Sequence, residues 1–128
     1  MRRLVALAAL LPLALPAPAR AAAGLWLSPT VVTAAGLRPG RTYAGPPIVL
    51  ANPSSTPVEV TAQAVGRGPY LRLGAYRFTL LPGGRQLLAW RLVVPALRPG
   101  RYTVRVTFTA RGGGQSVREA TMFRLEVT

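Results

Sequence analysis

The sequence predicts an all-β protein: an antiparallel sandwich of two sheets and about seven short strands, preceded by a cleaved signal peptide. Three observations carry that expectation. Five segments alternate apolar and polar residues with period two. They are bounded by the turn-forming clusters "LRPG", "NPSSTP", "GRGP", "LPGG", "ALRPG" and "RGGG". No helical stretch follows the first 23 residues.

Those first residues read as an export signal. "MRR" is a basic start, "LVALAALLPLALPAPA" is an apolar run, and "APARAAAG" supplies small residues for a signal peptidase. Cleavage after Ala19 fits the A-x-A rule, and cleavage after Ala23 fits it without leaving Arg20 at the new terminus. A membrane anchor is the competing reading. It is disfavoured because a span needs about 20 apolar residues, and Pro12 and Pro16 interrupt this run. With no cysteine the chain cannot be a lipoprotein, and Arg2–Arg3 is a poor twin-arginine match. The expected division is 1–23 signal peptide and 24–128 one domain of about 105 residues, a usual domain size. Such a domain lacks disulfides and must be held by apolar packing, in keeping with a chain that is 50% apolar over its full length.

The pentapeptide "LRPGR" occurs at Leu37–Arg41 and again at Leu97–Arg101, with "LLPGGR" at Leu80–Arg85 between them. Proline at the second turn position presets φ and glycine at the third accepts positive φ, so each reads as a type II chain reversal anchored by the leucine before it. A phosphate loop is excluded because no lysine follows the glycines. Duplication is disfavoured because the flanking sequences do not match.

Between these turns, "VEVTAQA" sets Val58, Val60, Ala62 and Ala64 against Glu59, Thr61 and Gln63. "YRFTL" points Tyr76, Phe78 and Leu80 one way, and "LLAWRLVV" does so with Leu88, Trp90, Leu92 and Val94. In "YTVRVTFTA", Tyr102, Val104, Val106, Phe108 and Ala110 face inward and Thr103, Arg105, Thr107 and Thr109 outward. "FRLEV" buries Phe123, Leu125 and Val127 and exposes Arg124 and Glu126. Adding "LWLSPTVVTA" and "PIVLA" gives about seven half-buried antiparallel strands.

The charge is one-sided. All 16 basic residues are arginine, and the acids are Glu59, Glu119 and Glu126. Setting aside Arg2, Arg3 and Arg20 leaves 13 arginines against three glutamates, or +10. Such a surface attracts polyanions, although arginine without lysine amid Ala, Gly, Pro, Leu and Val also reads as the residue usage of a GC-rich genome. The sequence has no His, Cys or Asp. That removes the usual metal ligands, nucleophile–base pairs and thiol chemistry, so no catalytic, metal or cofactor site is expected. Glu119 and Glu126 fall on opposite faces of a regular strand, which argues against a carboxylate pair. The serines lie in turns with no base beside them. The chain is read as a non-enzyme.

"ALRPGRYTVRVTFTA" carries a family resemblance. A leucine, a Pro-Gly turn and a tyrosine opening an alternating strand resemble the tyrosine corner of immunoglobulin-like and fibronectin type III-like sandwiches, with Leu97, Pro99, Gly100 and Tyr102 as the corner. The resemblance implies that the Tyr102 hydroxyl bonds back to the connection between sheets. "LSPT", "IVLANPSSTPVEV", "FTLLPGGRQ" and the "VP"-to-"PG.Y" corner together resemble the N-terminal domain of periplasmic pilus chaperones. The sequence departs from that family in stopping at Thr128 after its last strand, where those chaperones add a second sandwich. It also offers no arginine in "SPTVV" and no lysine to hold a pilin carboxylate.

Two binding modes are therefore expected of an exported module of a bacterial cell envelope, periplasmic, surface-bound or extracellular. One is strand-edge association with an envelope protein or with itself, through Phe123, Leu125 and Val127 of the last strand. The other is an anionic wall polymer or polysaccharide held by outward Arg105, Arg111 and Arg124. The bland reading of that face is arginine and threonine placed outside by strand alternation. A single-domain pilus-chaperone-like role is a third expectation. No transmembrane anchor is expected, and nucleic acid is disfavoured by export and by the lack of aromatics clustered with basic residues. Trp90 is expected in the core, while Trp26 and Tyr70 are the aromatics that could be exposed.

Overall fold

The computed structural model describes residues 24–128. The expected signal peptide, 1–23, lies outside the described residues. The described residues form strands and turns without helix. The strands are β1 (Trp26–Ser28), β2 (Val31–Leu37), β3 (Thr42–Ala44), β4 (Ile48–Ala51), β5 (Val58–Gly66), β6 (Tyr70–Leu73), β7 (Arg77–Leu80), β8 (Arg85–Leu88), β9 (Trp90–Val93), β10 (Gly100–Gly112) and β11 (Gln115–Val127). They make a five-stranded sheet in the order β2-β11-β10-β5-β7 and two three-stranded sheets, β1-β4-β8 and β3-β9-β6.

The strand number exceeds the expected seven for two physical reasons. "TYA" and "YLRL" pair as strands although they are too short to show a period. Two of the expected strands are also interrupted. "LLAWRLVV" breaks at Ala89, so that β8 pairs with β4 and β9 with β3 and β6. Ile48 faces Leu88 while Ala44 faces Arg91, which leaves one extra residue on the 44–48 side, as in a β-bulge. The Trp90 ring fills that place. Its Nε1 donates to the Pro46 carbonyl at 2.9 Å, and a Cβ on Gly45 would come within 2.8 Å of the ring. The N-terminal strand breaks at the cis bond Ser28–Pro29, where the chain leaves β4 and joins β11. Thr121 Oγ1 donates to the Pro29 carbonyl and the Met122 N–H to that of Thr30, both at 2.8 Å, which pins the crossing.

The alternation holds where the core is thickest. Val58, Val60, Val104, Val106, Phe108, Ala110, Phe123, Leu125 and Val127 are buried on the five-stranded sheet. They share one core with Leu27, Ile48, Leu50, Leu71, Leu73, Leu88, Trp90 and Leu92 of the small sheets. Trp90 and Phe123 meet edge to face across it, with ring centroids 5.0 Å apart. Tyr76 departs from the expected pattern. It precedes β7 and is 50% exposed, with its hydroxyl accepting the Leu73 N–H at 3.1 Å.

The turns also divide. Gly40 and Gly83 have φ of 78° and 73°, near the about +80° of the third type II position. The Gly84 N–H donates to the Leu81 carbonyl at 2.7 Å, closing the second of these turns. The second "LRPGR" does not make that turn: Gly100 has φ 158° and is already the first residue of β10. The connection there passes from β9 of a small sheet to β10 of the large one, so its job is a change of sheet.

Candidate functional site

The corner at that change of sheet is built as the sequence suggested. Tyr102 donates its hydroxyl to the Arg98 carbonyl at 2.8 Å. Its ring and Leu97 pack so closely on Gly68 that a Cβ there would lie 2.9 Å from the ring. Leu97, Pro99, Gly100 and Tyr102 therefore form a structural joint.

A second joint involves a residue that carried no chemical signal in the sequence. Asn52 is fully buried, and its Nδ2 donates to the carbonyls of Thr56 at 2.8 Å and Leu80 at 3.0 Å. Its Oδ1 accepts the Ser54 N–H at 2.9 Å and the Ser54 hydroxyl at 2.6 Å. Two donors and two acceptor sites are all used, so the amide ties "NPSST" to the end of β7 without leaving a reactive group. The position of Asn52 in an Asx-type turn was the available signal.

The expected edge is corrected by the topology. β11 lies inside the five-stranded sheet, paired antiparallel with β10 on one side and parallel with β2 on the other. Phe123, Leu125 and Val127 are 0%, 3% and 2% exposed, which makes them core. The edge of this sheet on that side is β2, "VVTAAGL", with no charge and no proline. The Thr30 carbonyl accepts from Met122, so by alternation the backbone groups of Val32 and Ala34 face β11 and those of Val31, Thr33 and Ala35 face the free edge. The opposite edge, β7, is four residues long and begins at Arg77, whose Nε lies 3.6 Å from Glu59 Oε2. Both side chains are well exposed, so this pair adds little stability.

The three outward arginines do share a face, but the structure does not gather them. Arg105 stands opposite Met122 and Arg124 opposite Thr103, which makes these two diagonal neighbours. Arg111 lies six residues further along β10, roughly 20 Å away at strand rise, and faces Glu59 across the β10–β5 pair. Arg101 likewise faces Glu126. Arg118, opposite Thr109, is a further cation on this face. With Thr61, Gln63, Thr107 and Thr109 it lines a shallow hollow of about 450 Å³. On the small sheets, Trp26 and Tyr70 are 39% and 44% exposed, whereas Trp90 is core.

No protein-family model matches the chain, and no curated protein matches it. Solved structures do. The chain is similar to the PapD-like domain 7 of human CEP192, with TM-score 0.69 and 13% identity over 94% of this chain and 96% of that one. It is similar to the periplasmic chaperone SfaE, with TM-score 0.60 and 11% identity over 82% of this chain. It spans 58% of that chaperone's length. A family 123 glycoside hydrolase from Clostridium perfringens matches at TM-score 0.59 and 11% identity, with 27% of its length covered.

The fold is the immunoglobulin-like sandwich of PapD-like domains and pilus chaperones, which recur among the similar structures.

Proposed function

We propose that this chain is a non-catalytic, exported assembly module of a bacterial cell envelope, and that it acts by adding a partner's strand at β2. The observation that carries this reading is the character of that edge. Natural sheets blunt their edges with charge, proline, bulges or brevity. β7 is short and starts with Arg77. β2 is seven residues long and uncharged, and Val31, Thr33, Ala35 and Gly36 are exposed along it. Its free N–H and C=O groups offer a partner strand a ladder of hydrogen bonds. The irregularity at its far end, where Gly36 has φ 71°, limits the usable stretch to Val31–Ala35.

Support for assembly comes from the company the fold keeps, since a periplasmic chaperone and a pilin subunit share it. Support for export comes from the sequence of residues 1–23. Support for a non-catalytic role comes from the absence of His, Cys and Asp in the whole sequence.

The test is co-sedimentation of the purified protein with its own organism's envelope fraction at high salt. Thr33→Pro removes an edge-facing N–H while leaving the β2–β11 ladder intact, a placement that edge strands tolerate. Binding should survive salt in the parent and be lost in Thr33→Pro and in Val31→Lys, with the melting temperature little changed. Equal retention of parent and Thr33→Pro at high salt would falsify the proposal.

A further inference from the structure

The outer face of the small sheets holds a charge arrangement that the other face lacks. Arg72 of β6 and Arg91 of β9 are direct cross-strand partners, and both are exposed. Side chains so placed have Cβ atoms about 5 Å apart, where like charges repel. No carboxylate relieves them, because Glu59, Glu119 and Glu126 all belong to β5 and β11 of the five-stranded sheet. Neither guanidinium has an ion pair or hydrogen bond among the described residues. On the large sheet, by contrast, Arg77, Arg101 and Arg111 each have a glutamate beside or opposite them.

The surroundings frame the pair. Arg91 has Ala44 as its partner on the other side, so the third position of that row is a methyl group that leaves the guanidiniums open to solvent. The next row on the same face is Tyr70, Val93 and Thr42, with Tyr70 44% exposed. A hydrophobic side chain and a hydroxyl thus border the two cations.

We infer that Arg72 and Arg91 together bind a phosphate monoester. Each guanidinium presents a planar fork of N–H donors. A carboxylate has two oxygens and is filled by one fork, and a phosphate diester keeps a single charge. A monoester brings close to two negative charges and three strong acceptor oxygens, which is what two forks facing each other can take. Binding also removes the repulsion between the arginines, so the site gains twice from the same event. The inference is independent of strand addition at β2, and either can fail without the other.

The probe is methyl phosphate, read by two-dimensional amide NMR on the purified protein. Dimethyl phosphate and acetate at equal ionic strength serve as comparisons. Saturable shifts centred on Arg72, Arg91 and Tyr70 are expected with methyl phosphate, with affinity at least about tenfold above the other two anions. Arg72→Gln/Arg91→Gln should abolish them, while Arg105→Gln/Arg124→Gln should leave them unchanged. Methyl phosphate should also raise the melting temperature of the parent and not of the Arg72→Gln/Arg91→Gln protein, because a ligand that binds the native state stabilises it. An equal rise in both proteins would reveal only the general effect of a kosmotropic anion and would overturn the site. So would equal affinity for all three anions, or shifts spread over every arginine. Vesicles with and without phosphatidic acid separate the sources. Sedimentation with the phosphatidic acid vesicles alone, lost in Arg72→Gln/Arg91→Gln, assigns the monoester to a lipid. Methyl phosphate binding without sedimentation assigns it to a soluble ligand.

Discussion

"LRPGRTY" at 37–43 and "LRPGRYT" at 97–103 differ only in the order of their last two residues, yet they fold differently. In the first, Gly40 takes φ 78° and the chain reverses from β2 to β3. In the second, Gly100 takes φ 158° and the chain crosses between sheets. A tyrosine hydroxyl reaches the same arginine in both. Tyr43 accepts the Arg38 N–H at 2.8 Å, and Tyr102 donates to the Arg98 carbonyl at 2.8 Å. What separates them is the contact each makes with distant chain. The Gly40 N–H donates to the Val94 carbonyl and the Val94 N–H to that of Arg41, which holds the first copy against the approach to the second. The second copy lies against Gly68. A Pro-Gly pair permits a tight turn, and tertiary partners decide whether one is made.

The largest expected effect tests the anchoring leucines. Leu37 is 4% exposed within the core, whereas Leu97 is half-buried at the joint. Leu37→Ala should cost about 2–5 kcal/mol and Leu97→Ala about half as much, by urea unfolding. Equal losses would mean that the two anchors do equivalent work despite their burial.

The glycines come next. Gly68 has φ 85°, and a Cβ there would meet Tyr102 and Leu97 within 3.1 Å. Gly40 has a similar φ, but nothing lies within 4 Å of its Cβ position. Gly40→Ala should therefore cost only the left-handed strain of about 1–2 kcal/mol, and Gly68→Ala that strain plus a collision. Similar losses from both would show the corner to be softer than its packing suggests.

How much of this was legible follows the same division between local and distant. The alternation of Val104, Val106, Phe108 and Ala110 is written in adjacent residues, and the strand appears where it was expected. The covering of β11 was not legible, because β2 joins it in parallel from about 90 positions away and no local pattern encodes that choice. The edge assigned to Phe123, Leu125 and Val127 moved to β2 for that reason. The arginines behave likewise. Strand alternation shows that Arg91, Arg105 and Arg111 point outward, but only register puts Arg72, from a strand too short to show a period, against Arg91, and Arg111 against Glu59. The tyrosine corner was legible because its hydrogen bond spans four residues.

The smallest effect concerns the two tyrosine hydroxyls. Tyr43→Phe and Tyr102→Phe each delete one bond to an exposed backbone group that water can replace, so each should cost about 0.5–1.5 kcal/mol. The consequences should differ in place. Tyr102→Phe keeps the ring against Gly68 and Leu97, so amide exchange should quicken only around Arg98 and the joint should hold. At the first copy the two bonds to Val94 remain, so the turn should keep the positive φ of Gly40. If Tyr43→Phe instead loosens Gly40 and Val94 together, the hydroxyl, and not the distant chain, sets the first turn, and the contrast between the two copies would lie in the order of two residues.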